Sequence, residues 1–299
     1  MNSVFWLAQW VGHRNFIRRS LRYRVFEKIK KDFDFEVKFY SYKYKGNLNN
    51  FIDRSVFFFG AHERQQLEFS KKLIRNKIVV DCGANVGNHS LFYSRFAKSV
   101  ISIDANILVL DELKLKIKAN KIKNISCLNL GVGSVNNIIM PFFRATGDNL
   151  GVSSFLKNFS PHNLNPINVS LRTLDSILED LKKSVDYIKI DVEGFDYEVL
   201  KGAQKIISTL APVIQIEYIP EDKSKVMTFL RENPRYQART LIVNRAFIFI
   251  FNRPKGKLLE FNPNLRSEVF CFLRGFSLVT LTFSLILCEF GDRLITSLY

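Results

Sequence analysis

The stretch KIVVDCGANVGNHS, Lys77 to Ser90, decides the fold. Ile78 to Val80 form a short apolar run that reads as a buried strand, and Asp81 closes it. Gly83, three residues and Gly87 follow, and HSLFYSRFA then continues at helical spacing. Strand, acid, glycine turn and helix in this order make the first βα unit of a nucleotide-binding α/β sheet. A phosphate-binding Walker loop is excluded because no Gly-Lys-Ser/Thr follows. The dinucleotide fingerprint fits poorly, since it wants a second glycine where Asn85 stands so that backbone can approach a pyrophosphate. Asn85 can still take a left-handed conformation at lower cost than most residues.

The charge at the turn narrows the ligand. A carboxylate at Asp81 would repel phosphate but welcome an ammonium and a sulfonium. S-adenosylmethionine carries both, joined to adenosine without any phosphate. The next strand, SVISID, ends in Asp104, 23 positions after Asp81. An acid there can accept both ribose hydroxyls. Either acid alone would read equally well as a cap; with the Gly83/Gly87 turn between them, the pair favours a cofactor site at Asp81, Gly83, Asn85, Gly87 and Asp104.

Strands and helices alternate outward from this turn. Glu63 to Arg75 reads as a helix with Leu67, Leu73 and Ile74 inward. ILVLDELKLKIKAN reads as a helix with Leu110, Leu113 and Ile117 inward, and NISCLNLGVGS as a third strand and turn. A long loop spans about Arg144 to Pro166. INVSLRTLDSILEDL reads as strand then helix, DYIKIDVEG as a fourth parallel strand, Tyr197 to Leu210 as one helix, and PVIQIEY as a fifth strand. Such alternation predicts a parallel sheet covered on both faces. QARTLIV and AFIFIF, either side of Asn244-Arg245, predict an antiparallel hairpin that ends the sheet.

The fourth strand poses a chemical question. Lys189 alternates with Ile188 and Ile190 in an apolar run, so it points to one face and needs a carboxylate partner. The strand then ends in Asp191 and Glu193, and Glu217 closes the fifth strand on the same edge. Ligands of open α/β sheets sit outside the carboxyl ends of strands, so Asp191 belongs with the cofactor residues. If a hydroxyl attacks the methyl group of such a cofactor, its proton must leave, which makes Asp191, Glu193 and Glu217 the candidate catalytic residues. The lesser reading has the same three acids hold a divalent metal that lowers the hydroxyl's pKa; the plainest has Asp191 orient the cofactor amine and Glu193 serve structure. His89 and His162 are rival bases.

VVDCGANVGNHS, SIDAN, VSLRTLDSIL, DYIKIDVEGFDYEVLKGA and PVIQIEY together resemble the successive motifs of the FkbM-type S-adenosylmethionine-dependent methyltransferases. The resemblance covers roughly Ile78 to Glu217, with a looser match at GAHE, Gly60 to Glu63. TLDS with KIDVEG...VLKGA is its specific part; DCGANVG alone would indicate only a class I methyltransferase. The resemblance implies a Rossmann-like class I fold, with a mostly parallel seven-stranded sheet ending in the hairpin. It also implies methyl transfer to oxygen, often on saccharides. The chain departs from the family pattern at Ala105, where an acid-proline pair is common, and at Asp196, where Glu is common.

The 299 residues carry a formal charge of +16, and the basic residues concentrate in the first 31 positions, from Arg14 to Lys31 beside Trp6, Trp10 and Phe16. That pattern fits peripheral contact with an anionic membrane, or equally a packed, solvated N-terminal helix. A nucleic-acid substrate is disfavoured because no Asn-Pro-Pro-Tyr-type motif appears. The opening places its apolar part before its basic part, the reverse of a secretory signal. The apolar tail from Val269 to Cys288 has about the length of a span but is interrupted by Arg274 and alternates like a strand, which favours a buried or membrane-apposed element. Four widely spaced cysteines, without metal spacing, suggest a reducing compartment. These readings divide the chain into a basic aromatic region (1–50), a methyltransferase domain (51–262) and an apolar extension (263–299). The expected function is S-adenosylmethionine-dependent O-methylation of a saccharide, glycan or lipid-linked glycan, in the cytoplasm or on the cytoplasmic face of a membrane. The alternatives are methylation of a nitrogen or a non-sugar metabolite, and a membrane-associated binding protein without catalysis.

Overall fold

The computed structural model describes Trp10 and residues 32–146, 150–159, 163–217, 223–233, 236–244 and 247–252. The sheet that carries the fold has seven strands. They are β3 (Ile78–Cys82), β4 (Ser99–Asp104), β5 (Ile125–Asn129), β9 (Tyr187–Ile190), β10 (Val213–Glu217), β11 (Tyr236–Asn244) and β12 (Phe247–Asn252). Their spatial order is β11-β12-β10-β9-β3-β4-β5. The five strands from β5 to β10 are parallel; β12 runs antiparallel to both β10 and β11. Parallel strands thus end in an antiparallel hairpin, as the sequence predicts. The chain lays down β3, β4 and β5 in one direction and then returns to place β9 on the other side of β3. The order therefore reverses between β3 and β9, where a crevice opens at the carboxyl ends of the strands.

Alternation along the central strands sorts their side chains onto two buried faces. Val80, Ile101, Ile188 and Ile214 pack with Leu174, Ile177, Val199 and Ile206 from the helices on one side. Val79, Val100 and Tyr187 pack with Leu91, Phe92, Leu110 and Leu113 on the other. That second cluster also takes in Phe35, Phe39 and Tyr44 from a separate two-stranded hairpin, β1 (Asp34–Phe39) with β2 (Tyr42–Asn47). Each such side chain removed from water contributes about 1.5–3 kcal/mol before conformational entropy is set against it.

Three expectations from the sequence change. The helix expected from Glu63 to Arg75 is regular only over Arg64–Ser70, although Leu67 and Ile74 are both fully buried. The helix expected from Tyr197 to Leu210 is two, Asp196–Lys201 and Gln204–Leu210. The break falls at Gly202, which backs onto the main chain: an added Cβ would lie 1.9 Å from the Gly133 carbonyl oxygen. The Asp175 carboxylate then caps the second piece by accepting from the N–H groups of Lys205 and Ile206, both at 2.9 Å. The loop expected from about Arg144 to Pro166 is shorter at both ends: β7 (Ile138–Ala145) pairs antiparallel with β8 (Asn163–Arg172), and a 3-10 turn, Leu150–Val152, lies between them. With β6 (Gly131–Val132) these strands form a separate three-stranded sheet, so the INVSLR strand is not part of the main one. Cys82 and Cys127 are free thiols. Among the described residues no helix is long and apolar enough to cross a membrane. The expectations for the basic N-terminal stretch, for His162 and for Val269 to Cys288 lie outside the described residues.

Candidate active site

The glycine turn is shaped by its neighbours across the crevice. Gly83 has φ +77, and a Cβ there would lie 1.7 Å from the Asp191 carbonyl oxygen, so only glycine lets β3 and β9 close up. The Gly83 and Ala84 N–H groups donate to the Ile103 carbonyl at 2.9 and 3.1 Å, which ties the turn to β4. Asn85 is left-handed, with φ +50, and its N–H donates to Asp104 Oδ2 at 2.8 Å. The Asn106 N–H donates to Asp104 Oδ1, also at 2.8 Å. Burial pushes the Asp104 carboxyl up to about 6 against these two hydrogen bonds. Gly87 begins the helix Asn88–Ser94 with φ +95, where a Cβ would meet Leu113 at 2.3 Å.

The buried lysine has two carboxylate partners. Lys189, 2% exposed, places Nζ 3.0 Å from Asp191 Oδ2 and 3.4 Å from Asp81 Oδ1, and donates to the Gly83 carbonyl at 3.1 Å. Burial works to lower its pKa, but the flanking carboxylates outweigh that and raise it, so Lys189 stays charged. Asp81 Oδ2 accepts from the Ser90 hydroxyl at 2.6 Å, and Ser90 is 2.6 Å from the Ser102 hydroxyl. Asp81, Ser102 and Lys189 are cross-strand neighbours in register, so one polar seam runs beneath the crevice.

Above this seam lies a cleft of about 300 Å³. Its wall includes Gly83, Asn85, Asp104, Lys189, Asp191, Glu193 and Glu217. Burial opposes ionisation of Asp191, but Lys189 and a hydrogen bond with Glu217 hold it low, at about 2. Glu217 is pushed up to about 11 by burial and then by Asp191 itself. The two therefore share one charge, with Glu217 as hydrogen-bond donor. Glu193 is raised to about 9 by burial, Asp191 and Asp196. Its backbone is left-handed, φ +53, and the Ser154 hydroxyl holds its carbonyl at 2.7 Å. Asp196 braces this loop by accepting from the N–H groups of Val192 and Gly194 at 2.9 and 3.0 Å.

The sequence reading missed other parts of the wall. His62 and Glu63, from the GAHE segment, face the same cleft as His89. Glu63 Oε2 is 3.6 Å from His89 Nε2, and Glu63 Oε1 accepts from Gln66 at 3.2 Å. Burial raises Glu63 to about 8, lowers His62 to about 4 and takes His89 well below its ordinary value. Both imidazoles are thus neutral near pH 7. Phe142 and Phe155, with ring centroids 4.9 Å apart, add an apolar wall from β7 and the segment after it. Of the expected cofactor residues, Gly83, Asn85, Asp104 and Asp191 line the cleft; Asp81 and Gly87 lie behind it. All three expected catalytic acids line it. Among the described residues no three His, Cys, Asp or Glu side chains are placed to hold a metal ion together.

The residues fit an adenosyl amino acid. Each Asp104 oxygen accepts one backbone hydrogen bond and keeps a lone pair for a ribose hydroxyl. The bare Gly83 backbone leaves no side chain between the turn and Asp191.

A sequence model described as "Methyltransferase FkbM domain" matches residues 81–236, more than half of the chain. No curated protein matches it. Among solved structures it is similar to a methyltransferase FkbM from Methylobacillus flagellatus, at 18% identity and a TM-score of 0.43, covering 66% of this chain and 52% of that one. The chain thus spans about half the length of that relative. It is also similar to an rRNA methylase from Streptococcus thermophilus, at 13% identity and a TM-score of 0.42, covering 64% and 95% of the two chains. A putative methyltransferase from Streptococcus mutans, in complex with SAH, matches at 14% identity and a TM-score of 0.41, covering 64% and 97%. On its domain match, the chain belongs to the FkbM methyltransferase family, for which S-adenosylmethionine is the implied methyl donor.

Proposed function

We propose that this chain is an O-methyltransferase acting on a hydroxyl of a saccharide, glycan or lipid-linked glycan. The observation that carries the reading is the opposition of two kinds of acid across one cleft. Asp104 sits at the turn that suits a donor, and Asp191, Glu193 and Glu217 cluster at the other strand ends. Bound S-adenosylmethionine supplies an electrophilic methyl group. In this reading Asp104 takes the ribose hydroxyls and Asn85 holds the turn in shape. Asp81 serves at one remove, by fixing Lys189. Asp191, ionised beside Lys189, accepts the proton that the attacking hydroxyl loses, and Glu193 and Glu217 orient that hydroxyl. The phenyl rings of Phe142 and Phe155 offer a face against which a sugar ring can pack.

The test is incubation of the full-length chain with S-adenosylmethionine and a panel of glycans and lipid-linked saccharides, read by mass spectrometry. A methyl group on a sugar oxygen supports the reading; methylation confined to nitrogen replaces it. We also propose peripheral attachment to an anionic membrane through the basic, aromatic residues up to Lys31, which rests on sequence. Sedimentation with anionic vesicles at low salt, reversed at high salt, is the expected outcome; protein that stays in the supernatant contradicts it.

A further inference from the structure

The GAHE segment is built into the cleft wall from outside the matched domain. The His62 N–H donates to Asn88 Oδ1 at 3.1 Å, and Asn88 Nδ2 donates back to the His62 carbonyl at 2.9 Å. This clamp fixes the segment to the first turn after the glycine loop. The next residue, Glu63, is left-handed at φ +52 and makes no cap to the helix it precedes. Its carboxyl instead faces the cleft beside His89. His89 is 5% exposed, and its Nε2 has no hydrogen-bond partner.

Carboxyl groups in the cleft outnumber its cation. Glu63, Asp104, Asp191, Glu193 and Glu217 line it with Lys189 as the cation, and Lys189 is already shared with buried Asp81. S-adenosylmethionine, with a net single positive charge, would offset one carboxylate. Among the described residues no three of these side chains are placed to hold a metal ion together; an ammonium asks only for hydrogen-bond acceptors, which carboxyl groups on one wall supply.

We propose that Glu63, Glu193 and Glu217, beside His89, form a subsite for an acceptor that carries both an ammonium and a hydroxyl, such as an amino sugar. This deepens the methyl-transfer reading and rests on it. A protonated amine has no lone pair, so it acts as the handle while the hydroxyl oxygen is the nucleophile. The O–H proton passes to Asp191 as the O–CH3 bond forms; the S–CH3 bond breaks and its electron pair stays on sulfur. Empty, the glutamates are driven by burial to hold their protons. An ammonium would let them ionise, so binding releases protons.

The test uses the full-length chain saturated with S-adenosylhomocysteine, titrated by calorimetry with glucosamine and with glucose, in two buffers of different ionisation enthalpy. Glucosamine should bind about tenfold more tightly or better, the effect of one charge-assisted hydrogen bond, and should release protons. Glu63→Gln and Glu193→Gln should each cut that preference severalfold while leaving the melting temperature at pH 6 and the S-adenosylhomocysteine affinity near wild type. The proposal is overturned if S-adenosylhomocysteine binds but the two sugars bind alike, if neither binds, or if the preference survives in both variants. If S-adenosylhomocysteine itself fails to bind, the donor reading is what fails, and the same sugar comparison on the ligand-free chain still decides the subsite.

Discussion

Two acids close neighbouring parts of one sheet edge, and they are satisfied in opposite ways. Asp104, at the end of β4, is held by backbone N–H groups from Asn85 and Asn106, both close to the turn it serves. Asp191, just past β9, is held by side chains: Lys189 beside it and Glu217 from the next strand. Backbone donors leave a carboxylate's remaining lone pairs free and its position rigid, which suits the recognition of an invariant ligand part. Side-chain partners that titrate against each other create a region whose protonation responds to what binds. One end of the cleft is thus preorganised, and the other is responsive.

The seam beneath both ends offers the strongest way to break this contrast. Lys189→Met leaves buried Asp81 and half-buried Asp191 without their cation. Loss of one partner from a buried pair costs about 3–5 kcal/mol, which denaturant unfolding would read. A loss below about 1 kcal/mol, within the range of an exposed pair, would mean that the seam is not held by charge. Gly83→Ala should follow in size. Its methyl group meets the Asp191 carbonyl in a left-handed turn, so the turn must open at about 1–3 kcal/mol, and donor binding should weaken more than overall stability. Equal donor affinity in that variant would show that the turn does not shape the donor end.

The smallest effect sharpens the responsive end. Folded-state carboxyls at Asp104, Glu63 and Glu193 lie at about 6, 8 and 9, above the unfolded carboxylate range. The folded chain therefore binds more protons than the unfolded chain, and their contribution to stability is full at low pH and lost as pH rises through those values. Asp191, held at about 2, titrates below this window. The melting temperature of the ligand-free protein should fall from pH 6 to pH 9. The double variant Glu63→Gln, Glu193→Gln should flatten that slope; a rise with pH contradicts the assignment.

The same contrast explains what the sequence disclosed. Asp104, Gly83 and Asn85 are legible because they sit at the ends of two consecutive strands, with Asn85 bonded to Asp104 only 19 residues on. The seven strands followed from alternation and from the family motifs. Lys189 announced a carboxylate partner, but not that Asp81 would be one and would so be drawn behind the wall. His62 and Glu63 reach the cleft through a clamp to Asn88, 26 residues from His62, and no periodicity marks such a contact. β7 carries a weaker signal: its apolar run from Ile138 to Phe143 is interrupted by Pro141, and its partner β8 lies beyond a long loop of glycines, asparagines and serines.

The central claim is that the preorganised end holds S-adenosylmethionine. Calorimetric titration of the full-length chain with this ligand, beside Asp104→Ala, tests it most directly. Binding to the wild type is expected, with a loss of about 1.5–3 kcal/mol in the variant, the worth of a hydrogen bond to a charged group, and a melting temperature little changed. Binding of NAD at the same cleft with no response to S-adenosylmethionine, or equal affinity in the Asp104→Ala chain, would contradict it.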